Sequence, residues 1–185
     1  MSKKYEIGEA VGCLRDGGVI AYPTEAVWGL GCDPFNPDAV NRLLALKRRS
    51  KNKGLILAAG SISQVEVLMR ALSYEQQELV ASRWPGPVTW IIPDTLNIIP
   101  NWIKGQHSKV AVRVSSHPVV KDLSNAFRGM IVSTSANLNN EPEIKSFEVL
   151  ERQFGSKLDG IVEGDLGLDT NTSEIWDVET GIRIR

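Results

Sequence analysis

Cysteine and histidine are scarce in this sequence, with two of each in 185 residues. Cys13 and Cys32 belong to no Cys-x-x-Cys unit, and one pair in a chain this long is no disulfide framework. His107 and His117 lack the spacing of a zinc site. The two thiols therefore read as buried or half-buried side chains of a reducing compartment. No apolar run has the length of a membrane span, and the charged stretch Met1 to Glu6 has no signal-peptide core behind it. Both absences predict a cytoplasmic protein with no membrane partner. Charge of one sign is also missing. The formal net charge is -1, so composition alone predicts no broad attraction to nucleic acid. The common nucleotide signatures are absent too: there is no Gly-x-x-x-x-Gly-Lys-Ser/Thr loop and no Gly-x-Gly-x-x-Gly after a strand. Any nucleotide phosphates must then be held by side-chain cations and hydroxyls.

What is present is a balanced globular composition, 42% hydrophobic and 23% charged, without repeats or low-complexity linkers. One domain over residues 1–185 is the expectation. Apolar spacing predicts a helix over Ile7 to Arg15, stopped by Gly17-Gly18. Asn36-Pro37 reads as an N-cap with proline at the first helical position, ahead of the stripe Val40, Leu43, Leu44. Ser73 to Gln76 fits a capping box for a helix towards Arg83. His117-Pro118 opens a helix through Phe127, closed by Gly129, and a last helix covers Phe147 to Phe154. Strands are predicted at 19–22, 55–58, 88–92, 110–114, 131–133, 161–162, 175–178 and 182–184. Gly29 and Gly31 read as a tight bend or a close backbone approach. The alternation indicates an α/β or α+β domain around one large sheet, with neither strand order nor direction fixed.

Several polar clusters stand out. Lys47-Arg48-Arg49-Ser50-Lys51-Asn52-Lys53 is either an anion site or a solvated helix end whose cations complement the helix dipole. Ser133-Thr134-Ser135-Ala136-Asn137 is either a capped strand exit or a set of donors where α/β sheets place ligands. Arg113 sits inside the apolar run 110–114, so it faces solvent, pairs with a protein carboxylate, or awaits an anionic ligand. In this reading Val110 shares its face, and Val112 and Val114 point the other way. Trp84-Pro85-Gly86-Pro87 is a rigid turn whose tryptophan belongs in the core.

Together these pieces resemble one family. Residues Ala21 to Leu30 (AYPTEAVWGL) are similar to its opening signature, and Leu46-Lys47-Arg48-Arg49 followed by Gly54-Leu55-Ile56-Leu57 to its Lys-x-Arg element. Arg83 to Thr89, Val112-Arg113-Val114, Ser133 to Asn137 and Thr172-Ser173-Glu174-Ile175 resemble the rest, in the family's order. The family is the YrdC type, the short bacterial threonylcarbamoyl-adenylate synthases.

The resemblance implies an α/β fold with a single twisted mixed sheet, flanked by helices and enclosing a large concave cavity. It implies a nucleotidyltransferase that joins L-threonine, bicarbonate or CO2, and ATP, with Mg2+ accompanying the ATP. The product would pass to a tRNA threonylcarbamoyltransferase complex, for the adenosine next to the anticodon. By similarity, Lys47, Arg49, Ser135 and Asn137 match the catalytic and nucleotide-binding tetrad. Thr24, Arg113, Ser133 and Ser173 match threonine contacts, and Arg185 a nucleotide-binding arginine. No metal ligand among the side chains is implied. Both Lys47 and Arg49 are taken to follow the last apolar turn of their helix, where truncation removes charge and little packing. Three positions depart from the pattern: Ser50 replaces the usual proline, Lys53-Gly54 replaces Asn-Pro, and Ala58 stands where longer members have histidine. The sequence also ends at Arg185, without the longer members' extra C-terminal domain. The alternative is a non-catalytic module binding tRNA or double-stranded RNA, with loop 47–53, Arg83, Lys104 and Lys109 as a phosphate track.

Overall fold

The computed structural model describes residues 2–185, so the first residue of the charged N-terminal stretch lies outside it. Helix α1 covers Ile7–Arg15 and starts with a capping box in which Glu6 and Glu9 satisfy each other's backbone N–H groups. Asn36 caps α2 (Pro37–Lys47), its side chain accepting from the N–H groups of Asp38 and Ala39. Val40, Leu43 and Leu44 form the buried stripe of α2. Helix α3 (Glu66–Met69) and helix α5 (Asn101–Lys104) have four residues each, too few to show a 3.6-residue period. Between them, α4 (Tyr74–Arg83) opens on the Ser73–Gln76 capping box. Helix α6 (Pro118–Phe127) closes on Arg128 in the left-handed conformation, φ 66°, so Gly129 follows the closure rather than making it. Ser146 caps α7 (Phe147–Phe154).

The strands are β1 (Lys4–Tyr5), β2 (Ile20–Pro23), β3 (Trp28–Gly31), β4 (Ile56–Ala59), β5 (Val88–Pro93), β6 (Lys109–Val114), β7 (Ile131–Ser135), β8 (Gly160–Val162) and β9 (Glu174–Asp177). They form one nine-stranded mixed sheet in the order β1-β8-β2-β3-β7-β4-β6-β5-β9. Segments β2–β3, β3–β7, β7–β4 and β6–β5 run antiparallel, and the other neighbours run parallel. The predicted strand at 182–184 is only a single bridge, Trp176 to Arg183, though the tail folds back on β9 through Ile184 N–H to Ile175 O at 2.7 Å. Gly29 and Gly31 form no bend; they belong to β3. A Cβ on Gly31 would lie 2.5 Å from Val132 O and 2.7 Å from the Tyr22 ring, so the close approach was the correct half of that expectation.

Side chains alternate across the sheet and build a core on each face. Ile20 and Tyr22 of β2 join Ala10, Val11 and Leu14 of α1 and Val120 and Leu123 of α6 on one face. Val19 and Ala21 point to the other, where the larger core gathers Leu57, Trp90, Val110, Val112, Val114 and the apolar stripe of α2. The α1–α6 pair covers its face around β2, β8, β7 and β4, with Ala58 of β4 and Ile131 of β7 in its core. Beyond it, residues of β4, β6 and β9 line a cavity.

Candidate active site

The cavity has a volume of about 500 Å³, a usual size for a small-molecule site. Ala58 of β4 and Ala111 and Arg113 of β6 form its floor. Arg113 therefore shares a face with Ala111 and Lys109, two and four positions back. Val110 lies on the opposite face with Val112 and Val114, correcting the expected pairing; side chains alternate with a period of two and Val110 is three positions away.

The structure gives Arg113 a protein carboxylate: Glu25 Oε2 forms an ion pair with Arg113 Nη2. Glu25 sits in the turn joining β2 to β3, which closes by bonds from Thr24 N and Thr24 Oγ1 to Val27 O at 3.1 and 2.7 Å. Its other carboxylate oxygen accepts from Ser115 Oγ at 2.6 Å and Ser116 N at 3.2 Å. Burial pushes the Glu25 carboxyl up, but the Arg113 charge and the hydrogen bonds from Arg113 and Ser115 outweigh it and leave the pKa lowered.

Arg49 and Arg185 also line the cavity. Arg49 Nη2 donates to Gly54 O at 3.0 Å, and Arg185 Nη2 to Ser173 O at 3.0 Å. Burial, then the neighbouring Arg185 charge, lowers the Arg49 pKa. Burial lowers Arg185 as well, Glu143 opposing and Arg113 adding to the fall. The guanidinium groups thus sit close enough to repel one another. Gly54 has φ 65°, which proline cannot adopt, so the loop here takes a path that the family's usual Asn-Pro would forbid. Ser50 caps the following turn by accepting from Asn52 N–H.

Hydroxyls complete the wall. Ser173 Oγ is paired with Thr89 Oγ1 at 2.8 Å, both buried. Ser133 hydrogen-bonds the buried Tyr22 phenol, whose own proton goes to Val132 O at 3.1 Å. Ser135 Oγ donates to Asn137 Oδ1 at 2.8 Å.

Lys47 and Asn137 do not reach the wall; they stand behind Ser135. The Lys47 ammonium is buried and donates to Ser135 O, to Asn137 O at 2.8 Å and to Asn137 Oδ1 at 3.0 Å. Its removal would therefore take away much more than surface charge, contrary to the sequence expectation. Burial, assisted by Arg49 and opposed by Glu143, lowers the Lys47 pKa to about 8. Of the cations named for a phosphate track, Lys104 and Lys109 are held by protein carboxylates, whereas Arg48, Lys51, Lys53 and Arg83 are exposed. Lys104 is buried against Asp94 at 2.8 Å, Lys109 bonds Asp177 at 2.7 Å and Glu179 at 2.6 Å, and Arg83 lies over the Trp176 ring at 5.4 Å.

This arrangement of cations and hydroxyls without a phosphate-binding glycine loop has counterparts among known proteins. The Sua5/YciO/YrdC family model, described as telomere recombination, matches residues 12–185. The chain belongs to this family. A threonylcarbamoyl-AMP synthase of Coxiella burnetii is 49% identical over 179 residues, 97% of this chain and 96% of that protein. The structure of P. abyssi Sua5 complexed with L-threonine superposes with a TM-score of 0.85 at 30% identity, covering 95% of this chain. This chain spans about half, 53%, of that longer one. E. coli YciO shares the fold, with a TM-score of 0.87 at 23% identity over 100% of this chain and 95% of its own.

The cavity thus brings together Thr24, Arg49, Arg113, Ser133, Ser135, Ser173 and Arg185. Sequence reasoning missed Glu25, Ser115 and Thr89. One signal was available: an arginine inside a buried strand needs an acid, and Glu25 directly follows another buried strand and its turn residue Thr24. The thiols are free as expected, with Cys32 fully buried and its pKa pushed up to about 12 by burial and then by Asp33. No helix among the described residues is long and apolar enough to cross a membrane.

Proposed function

We propose that this chain is a threonylcarbamoyl-AMP synthase. It joins L-threonine, bicarbonate or CO2, and ATP, and releases pyrophosphate. The likeness to the Coxiella synthase over nearly the whole of both chains carries this reading. The charge pattern of the cavity agrees with it. Arg49, Arg185 and Lys53 line the cavity together, suited to a triphosphate. On its floor the Arg113–Glu25 pair is neutral as a whole, suited to a zwitterionic amino acid.

The threonine amine adds to CO2 and gives a carbamate. A carbamate oxygen then attacks the α-phosphorus of ATP, and the bond to the pyrophosphate oxygen breaks. Negative charge gathers around phosphorus in that step. Fixed cations and donors, rather than a strong base, lower its barrier. In this proposal Arg49 and Arg185 supply the charge, and the Ser135 hydroxyl, its proton on Asn137 Oδ1, offers a lone pair to a ligand donor. Lys47 and Asn137 act by holding Ser135 in place. The Thr24 hydroxyl has its proton on Val27 O, so it offers the ligand only a lone pair. Ser173 and Thr89 share one bond between two hydroxyls, which leaves one hydroxyl proton to donate. A threonine hydroxyl that meets both is satisfied as donor and as acceptor.

Among the described residues no group of three or more His, Cys, Asp or Glu side chains could hold a metal ion, so Mg2+ would enter on the ATP phosphates. The product would go to a tRNA threonylcarbamoyltransferase complex in the cytoplasm, where ATP, bicarbonate and tRNA occur together. The carboxylate pairing of Lys104 and Lys109 takes two cations out of the phosphate track that an RNA-binding module would use. The test is pyrophosphate release with threonine and bicarbonate each omitted in turn. Release should need both, and equal ATP turnover without threonine would refute the assignment.

A further inference from the structure

Glu25 has been given no role of its own so far, yet it is a buried acid in the cavity lining. Its side chain is 9% exposed and that of Arg113 is 14% exposed. A buried ion pair is weak evidence of stability, because the desolvation of both charges offsets their attraction. Another gain is needed to explain why one lies on the cavity floor. The surroundings suggest it. Glu25 is fixed from three directions: Ser115 Oγ and Ser116 N hold one carboxylate oxygen, and its backbone carbonyl accepts from Asp169 N at 3.0 Å. Arg113 by contrast is a long side chain beside the like charge of Arg185. Its Nε is buried, and among the described residues no acceptor meets it.

We propose that Glu25 is a positioning and specificity residue: it anchors Arg113 through Nη2, leaves the rest of the guanidinium for the amino-acid carboxylate, and cancels the charge that would otherwise draw ATP phosphates to Arg113. The proposal rests on Arg113 being the carboxylate contact. Without Glu25, Arg113 would swing freely and carry an uncompensated charge. The cavity would then be positive along its whole length, and a polyanion would compete with threonine.

The experiment compares steady-state pyrophosphate release by the whole protein and by the variants Glu25→Gln, Glu25→Asp, Arg113→Ala and the double variant Glu25→Gln/Arg113→Ala. Glu25→Gln should raise the threonine KM by roughly tenfold or more, the equivalent of one charge-assisted hydrogen bond. It should change kcat much less, and excess ATP should become a competitive inhibitor against threonine. Glu25→Asp, which keeps the charge, should recover part of the loss. In the Arg113→Ala background, Glu25→Gln should add nothing to the threonine KM, because Glu25 acts through Arg113. An unchanged threonine KM in Glu25→Gln, with a raised one in Arg113→Ala, overturns the proposal and leaves the Arg113 assignment standing. Additive effects in the double variant also overturn it. An unchanged KM in Arg113→Ala overturns both. Should Glu25→Gln fail to fold, Ser115→Ala carries the same test: it loosens Glu25 without removing its charge. It should raise the threonine KM in the same direction by a smaller factor, and no change would sink the idea.

Discussion

Replacing Lys47 by methionine separates the two things a buried ammonium does, donating hydrogen bonds and carrying charge. The methionine keeps most of the apolar stem. It removes donors to Ser135 O, Asn137 O and Asn137 Oδ1. Hydrogen bonds from a charged donor contribute about 1.5–3 kcal/mol each, so the gross loss is roughly 5–9 kcal/mol. Against it stands relief of the burial penalty. The Lys47 pKa falls from 10.5 to about 8, which corresponds to roughly 3 kcal/mol. The net loss of stability at pH 7 should be about 2–6 kcal/mol. The pH dependence is the sharper signature. Because the folded value lies below the unfolded one, the unfolded chain binds more protons between about pH 8 and 10.5. Wild-type stability should therefore rise through that window relative to Lys47→Met. Urea unfolding of both proteins at pH 7 and pH 9.5 reads it directly, as a wider gap at the higher pH. A constant gap would refute the reasoning, and would mean that the carbonyl acceptors keep the ammonium charged despite its burial. Turnover should fall as well, since residues 135–139 lose their tie to α2.

The other expectations can be checked with single preparations. Arg49→Ala should lower pyrophosphate release by about a hundredfold or more with a melting temperature near wild type, because among the described residues its side chain bonds only Gly54 O; near-normal turnover would make the 47–53 cluster a solvated helix end. Cys13→Ser with Cys32→Ser should leave activity largely unchanged and lower the melting temperature, since a hydroxyl at the fully buried position 32 replaces an apolar thiol; a folded but inactive double variant would reveal thiol chemistry. Gly31→Ala should destabilise by about 2 kcal/mol or more, because its Cβ would press on Val132 O at 2.5 Å and force β3 away from β7; an unchanged urea midpoint would contradict the close packing.

How legible each part was in the sequence follows from the range of the interactions involved. Caps act over three or four residues, so Asn36, Ser73 and the helices behind them could be read directly. Periodic burial is nearly as local, which exposed the longer helices and most strands. Strand β3 was hidden because its glycines lack strand preference, and they are there for a reason outside the segment: the Tyr22 ring and the β7 backbone crowd them. Helices α3 and α5 are too short for any period. Within the site, the arginines and hydroxyls announced themselves by family resemblance. Their partners did not, since Glu25 meets Arg113 across 88 positions of sequence and Thr89 meets Ser173 across 84. Lys47 shows the same limit. Its place at a helix end suggested solvent, and only the fold of residues 135–139 over it makes it a buried tie.

The same contacts suit a chain with net charge -1 to hold a polyanion in the proposed reaction. Many of its cations are matched, Arg42 with Asp159 and Arg183 with Glu174 outside the cavity, Lys104 with Asp94 and Lys109 with Asp177 in its lining. Arg49 and Arg185 have no carboxylate within ion-pair distance among the described residues, and both are pushed down by burial. Their charges are thus held together against repulsion and against desolvation by the surrounding fold. In the proposed scheme a phosphate chain entering between them would relieve that repulsion. Such an arrangement is most effective where charge develops in the transition state. Arg113 lies beside the same cluster but already has Glu25, so the polyanion gains little by extending towards it. In the proposed scheme, charge pairing on the cavity floor would thereby keep the polyanion on Arg49 and Arg185 and leave the Arg113–Glu25 pair to the amino acid.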